Sequence, residues 1–180
     1  NNGWASMLAQ ALSKKFGHDL INVSACGANI ALTKAGFRDA IAPFKPDVVI
    51  IALSLGNEGV FHCPPKERQA RQQYFEQGLL DLVALAQSMG IQPMLGGVYP
   101  NGDCCDETYS LTKETRQTMS TWGVPVFDWF DSVDDGQGRW QEGTNADYAH
   151  PNPEGHRRMF ECIDLNWFDF DVQQGPELDP

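Results

Sequence analysis

Six consecutive apolar residues, Val48-Val49-Ile50-Ile51-Ala52-Leu53, constrain this chain more than any other stretch. The first four are β-branched, stiff at χ1 and suited to a pleated strand. The run does not alternate apolar with polar. It therefore suits a parallel strand covered on both faces, not one with a face in water. Parallel strands need crossover connections, and the rest of the chain supplies candidates for them.

Apolar residues at helical spacing (Trp4, Met7, Leu8, Ala11, Leu12) predict a helix from Trp4 to Phe16, with Gly17 as its stop. Leu20 to Val23 is a short predicted strand, followed by the turn Ser24-Ala25-Cys26-Gly27. Ile30 to Ile41 reads as helix or loop. A long helix is predicted from Pro65 to Met89, with Tyr74, Leu79, Leu82, Val83 and Leu85 on its apolar face. Then follow a strand from Gln92 to Val98, a loop from Tyr99 to Glu107, a helix from Leu111 to Thr121 and a strand from Val124 to Trp129. A loop from Asp131 to Ala146 precedes the last helix, Asn152 to Ile163, which has Pro153 in its first turn. Alternating strands and helices point to a single α/β domain with a parallel sheet over residues 1–165. Residues 166–180 read as a tail or linker, or as a strip packed through Trp167, Phe168 and Phe170.

A length of 180 residues is enough for one sizeable core. The net charge of -11 argues against nucleic acid and anionic membrane surfaces as partners. No apolar run approaches the length of a spanning helix. Asn1-Asn2 is neither an initiator Met nor a signal-like start, so the chain reads as processed or cut from a longer product. Its five cysteines show no zinc-ligand spacing, and no metal or organic cofactor is expected. Cys63 with Cys104 or Cys105 is a candidate loop–loop disulfide, and a secreted or periplasmic location is favoured over a cytoplasmic one. A bond between the neighbours Cys104 and Cys105 is disfavoured by geometry.

Sites in open α/β sheets form at the carboxyl ends of strands. Three segments are expected there: Asn22 to Gly27, Ser54 to Gly59, and Asp147-Tyr148-Ala149-His150. Asp147 can accept from one imidazole nitrogen of His150 and fix its tautomer. The other nitrogen is then free to take a proton from a hydroxyl nucleophile. Acyl transfer also needs donors aimed at the developing oxyanion. The Gly27 backbone N–H and the Asn57 side-chain amide are the candidates. Together these four make a serine hydrolase site without its nucleophile.

These residues resemble the blocks of the SGNH (GDSL-type) hydrolases. That family's second block is N-x-G-x-x-G, and Asn22 to Gly27 matches it except for Ser24 in place of the first Gly. Its third block is G-x-N-D. Leu55 to Gly59 matches more loosely, with Asn57 in the Asn place and Glu58 in place of the Asp. The last block, D-x-x-H followed by Pro, falls on Asp147, His150 and Pro151. The resemblance covers Trp4 to Ile163. It implies a three-layer α/β/α sandwich with a parallel, flavodoxin-like sheet and serine-type ester hydrolysis. His150 is then base and acid, Asp147 its orienting partner, and Gly27 with Asn57 the oxyanion hole. The implied substrate is a small-molecule or carbohydrate ester, carbohydrate O-acetyl esters among them.

The family's first block, a strand ending in G-D-S, is absent from the chain. The resemblance therefore places the nucleophilic Ser upstream of Asn1 and removes a strand from inside the sheet. Three readings stay open: a fragment, a second chain or segment that fills the slot, or a non-catalytic ligand-binding relative. A flavodoxin-like nucleotide binder is disfavoured, because neither GxGxxG nor GxxxxGK[ST] occurs. Ser24 and Ser54 lie near the expected site but outside any G-D-S context.

Other residues carry plainer expectations. Glu58 reads as a solvated loop carboxylate, His156 as a surface residue and Cys26 as a small buried filler. The Asn22-Val23-Ser24 glycosylation triplet is discounted as a buried strand end. Trp129 is expected in the core. Trp140 and Tyr148 are candidates for a sugar- or acyl-contacting wall.

Overall fold

A computed structural model describes residues 3–170. The strands are β1 (Val48–Ile51), β2 (Gln92–Gly96) and β3 (Val126–Phe127), all parallel, in the order β1-β2-β3. The helices are α1 (Trp4–Phe16), α2 (Ile30–Ile41), α3 (Pro65–Ser88), α4 (Asp106–Met119), the short α5 (Phe130–Val133) and α6 (Pro153–Glu161). A three-residue 3-10 turn (Ala42–Phe44) follows α2, and another (Leu165–Phe168) follows α6.

Two cores make the three layers. On one face of the sheet, Ile30 and Phe37 of α2 join Phe75, Leu79 and Leu82 of α3, Leu111 of α4 and Ile51 and Leu95 from the strands. On the other face, Leu8 and Leu12 of α1 and Met159 of α6 close over Met94, Phe127 and Trp129. Leu95 and Met94 are adjacent on β2 and point to opposite cores, which is the strand's period of two seen in packing. The architecture is the expected α/β sandwich with a parallel sheet.

Several elements differ from expectation, each for a local reason. Leu20–Val23 is not a strand: it pairs with no strand among the described residues, and its Ile21 and Val23 are 55% and 47% exposed. β1 stops at Ile51, and Val48, Val49 and Ile50 are only partly buried, because no described strand covers the second edge. α4 starts five residues earlier than the apolar pattern suggested. A reciprocal cap between Cys105 and Thr108 begins it, and Asp106 and Glu107 occupy its first turn. β3 shrinks to two residues, and α5 falls inside the stretch expected to be loop. Beyond residue 165, Phe168 is buried against Phe127. The last ten residues of the expected tail lie outside the described residues. All five cysteines are free thiols, so the expected Cys63 bridge is not formed. Among the described residues, no helix is long and apolar enough to cross a membrane.

Candidate active site

The segment Asp147 to His150 is built by short-range hydrogen bonds. Asp147 Oδ1 accepts from the backbone N–H groups of Ala149 (2.7 Å) and His150 (2.8 Å). Both carboxylate oxygens lie 3.0 Å from His150 Nδ1. The Ala149 N–H, then the His150 ring, hold the Asp147 carboxyl below its ordinary range. An anionic Asp147 accepts Nδ1–H and leaves Nε2 of the neutral ring as the lone-pair nitrogen. The pair is open to solvent, with side chains 51% and 69% exposed.

What holds this loop is the start of α6. Asn152 Oδ1 accepts from Glu154 and Gly155 N–H as the helix cap, while its amide donates to the carbonyls of Gly143 and Asn145. Ala146 N–H donates to His150 O at 2.9 Å, closing the loop on itself. Gly155 lets the helix lie on the loop. A Cβ there would collide with the Thr144 carbonyl oxygen.

The other two segments are joined to each other. Gly27 sits in the turn before α2 at φ +70°, a conformation open to glycine at no steric cost. Asn57 Nδ2 donates to Ala28 O at 2.8 Å, which ties the turn after β1 to the Gly27 turn. One Asn57 N–H is used in that bond, and the amide's second N–H has no protein acceptor among the described residues. Beside it, Glu58 Oε1 accepts the first N–H of α2, from Ile30, at 2.6 Å. Arg71 Nη1 donates to the Glu58 carbonyl at 3.0 Å. Glu58 is thus 8% exposed and fastens one loop to a helix start, where a solvated carboxylate was expected. Its partner lies 28 residues away in sequence, so no local pattern could reveal it.

A groove of about 1160 Å³ runs beside β1. At its upper end it is lined by Asn57, Cys26, Ala28, Tyr99 and His156. His156 was expected on the surface. It is instead partly buried, with Nδ1 fully covered and unpartnered, and burial plus nearby His150 lower its pKa. His150 is near enough to His156 to act on its charge, while among the described residues no hydrogen bond joins the Asp147–His150 pair to Gly27 or Asn57. Burial pushes the Tyr99 phenol up.

Cys26 is exposed, not a buried filler, and so is the Asn22-Val23-Ser24 triplet. Trp129 is in the core, as expected, and Trp140 is also buried. Only Tyr148 of the expected aromatic wall stays exposed, edge-on to His62 with ring centroids 6.0 Å apart. Ser54 Oγ accepts the Gly56 N–H at 3.0 Å, so it serves the turn. Among the described residues, no serine hydroxyl is hydrogen-bonded to His150, and no cluster of His, Cys, Asp or Glu is arranged to hold a metal ion.

Comparison with known proteins bears on the family and the fold. The model of the GDSL-like Lipase/Acylhydrolase family matches residues 1–158. Among solved structures, a protein described as lipolytic of the G-D-S-L family, from Desulfitobacterium hafniense DCB-2, is 21% identical with a TM-score of 0.69. The match covers 89% of this chain and 86% of that one. A single-site variant of Axe2, an acetyl-xylooligosaccharide esterase from Geobacillus stearothermophilus, is 16% identical with a TM-score of 0.72, covering 94% and 82%. The acetyl xylan esterase AlAXEase is 16% identical with a TM-score of 0.66, covering 89% and 88%. At these identities the solved structures speak for the fold. No curated protein matches the chain.

Proposed function

The chain belongs to the GDSL-like lipase/acylhydrolase family, and from that premise we propose that it carries the acid–base and oxyanion machinery of a serine-type ester hydrolase. The observation that carries the reading is the Asp147–His150 pair, with two carboxylate oxygens at 3.0 Å from Nδ1 and Nε2 left to act. In the first half-reaction, Nε2 takes the proton of a serine hydroxyl as that oxygen attacks the ester carbonyl. The imidazolium formed is stabilised by Asp147. The Gly27 N–H and the free Asn57 N–H receive the carbonyl oxygen as it becomes negative. His150 returns its proton to the leaving alcohol, and water repeats the sequence on the acyl-enzyme.

A small-molecule or carbohydrate ester is the substrate class. The exposed Tyr148 beside His150 supports a sugar ring, in line with the acetylated xylo-oligosaccharides named for the Axe2 neighbour. Treatment of the catalytically complete polypeptide with a fluorophosphonate tests the mechanism, read by intact mass and peptide mapping. One adduct is expected, on serine. It should be lost in His150→Ala and slowed roughly 10⁴-fold in Asp147→Asn. Labelling unaffected by either change would sink the assignment. Ester binding with neither labelling nor turnover would instead establish a non-catalytic ligand-binding relative.

A further inference from the structure

Two loops, from the carboxyl ends of β1 and β2, converge on Tyr148, which lies between Asp147 and His150 in the chain. The β2 loop meets its backbone. Gly102 N–H donates to Tyr148 O at 2.6 Å, and Trp140 Nε1–H donates to the same oxygen at 3.0 Å. The approach is as close as glycine allows, since a Cβ on Gly102 would lie 3.0 Å from Tyr148 Cα and Cβ. The backbone of Tyr148 is thus held twice, while its ring stays more than half exposed. An aromatic face presented to water on a fixed backbone loses little freedom when a ligand covers it.

The other groups on this platform are polar. His62, from the loop after β1, stands edge-on to the Tyr148 ring. Its Nε2 lies 3.7 Å from Oδ2 of Asp103, on the loop after β2. That separation is too long for a direct hydrogen bond, and it is a span that a bridging hydroxyl fills. Both side chains are about half exposed, so their polar atoms are open to a ligand. With the carboxylates of Asp103 and Asp147 close by, an anionic group would be repelled. A neutral ring bearing hydroxyls can lay its apolar face on Tyr148 and direct its hydroxyls to Asp103 and His62. The position of the platform also bears on which half of an ester it meets. The carbonyl oxygen goes to Gly27 and Asn57, on other turns. Tyr148 shares a loop with His150, which must reach the oxygen of the leaving alcohol.

We propose that Tyr148, His62 and Asp103 form one subsite for a neutral sugar ring, and that this ring is the alcohol half of the ester. The assignment of the ester half rests on the hydrolase reading. The binding of the sugar does not.

The test titrates xylobiose into the chain and follows the Tyr148 and His62 rings by NMR. Saturable shifts are expected at both. Tyr148→Ala should weaken binding about 10-fold, and His62→Ala and Asp103→Asn about 3-fold each. Tyr148→Phe keeps the ring and should keep most of the binding. The three side chains are exposed, and an unchanged urea midpoint would show that the variants remain folded. In the catalytically complete polypeptide, Tyr148→Ala should raise KM for acetylated xylobiose roughly 5-fold more than KM for ethyl acetate. A KM change that follows the length of the acyl chain would overturn the proposal, because the platform would then serve the acyl half. So would xylobiose shifts that spare Tyr148 and His62, or no saturable shift at all. Xylobiose binding without fluorophosphonate labelling would count against the hydrolase reading alone, and labelling without xylobiose binding against the subsite alone.

Discussion

β2 and Leu20–Val23 are both short apolar segments beside β1, and they have opposite fates. β2 is bonded on each side, to β1 and β3, and Met94 and Leu95 are fully buried. Leu20–Val23 has no regular structure and no strand partner among the described residues, and its two β-branched side chains, Ile21 and Val23, face solvent. β-propensity is thus realised only where a neighbouring strand satisfies the backbone and a layer covers the face. β1 lies between the two regimes, ordered on its β2 edge and open on the other.

The sharpest way to break this contrast is at its buried pole. Leu95→Ala should cost about 2–5 kcal/mol in urea unfolding, because the cavity opens at the centre of a filled core. A loss of only a few tenths would mean that the sheet's paired half is as loose as its open half.

Gly155→Ala is next, at about 1–3 kcal/mol. Its new methyl would drive against the Thr144 carbonyl, a backbone atom that cannot rotate away. The loop from Thr144 to His150 would shift, so NMR of the His150 ring should change along with the urea midpoint. An unmoved His150 signal would mean that α6 does not set the position of the Asp147–His150 pair.

How much of this was legible in the chain follows the range of the forces involved. The Val48–Ile51 strand and the Pro65–Ser88 helix could be read because period and β-branching act locally. The Asp147–His150 pair was equally legible, since its bonds span at most three residues. Glu58 was not, because its value lies in capping a helix start 28 residues away. Nor was the half-burial of His156, which depends on what packs over α6. The expected strand at Leu20–Val23 failed for the same reason: a strand is a property of a pair, and among the described residues no strand pairs with this segment.

His156 offers a test of the groove's upper end through pH. Its burial, with His150 nearby, makes the folded ring bind a proton less readily than the unfolded ring, whose ordinary value is 6.5. Between the two values the unfolded state carries more protons, so stability rises with pH. The contribution is present above about 6.5 and is lost as pH falls towards the folded value. The urea midpoint should therefore drop between pH 7 and pH 5.5 by more in the parent than in His156→Gln. Equal drops would place that ring in water.

The smallest expected effect belongs to the open pole. Val23→Ala removes two methyls that are already half in solvent, so the unfolding free energy read in urea should fall by less than about 0.5 kcal/mol. A cost of about 1 kcal/mol or more would show that Val23 is packed as a sheet residue is, and that its likeness to β2 does not end with its sequence.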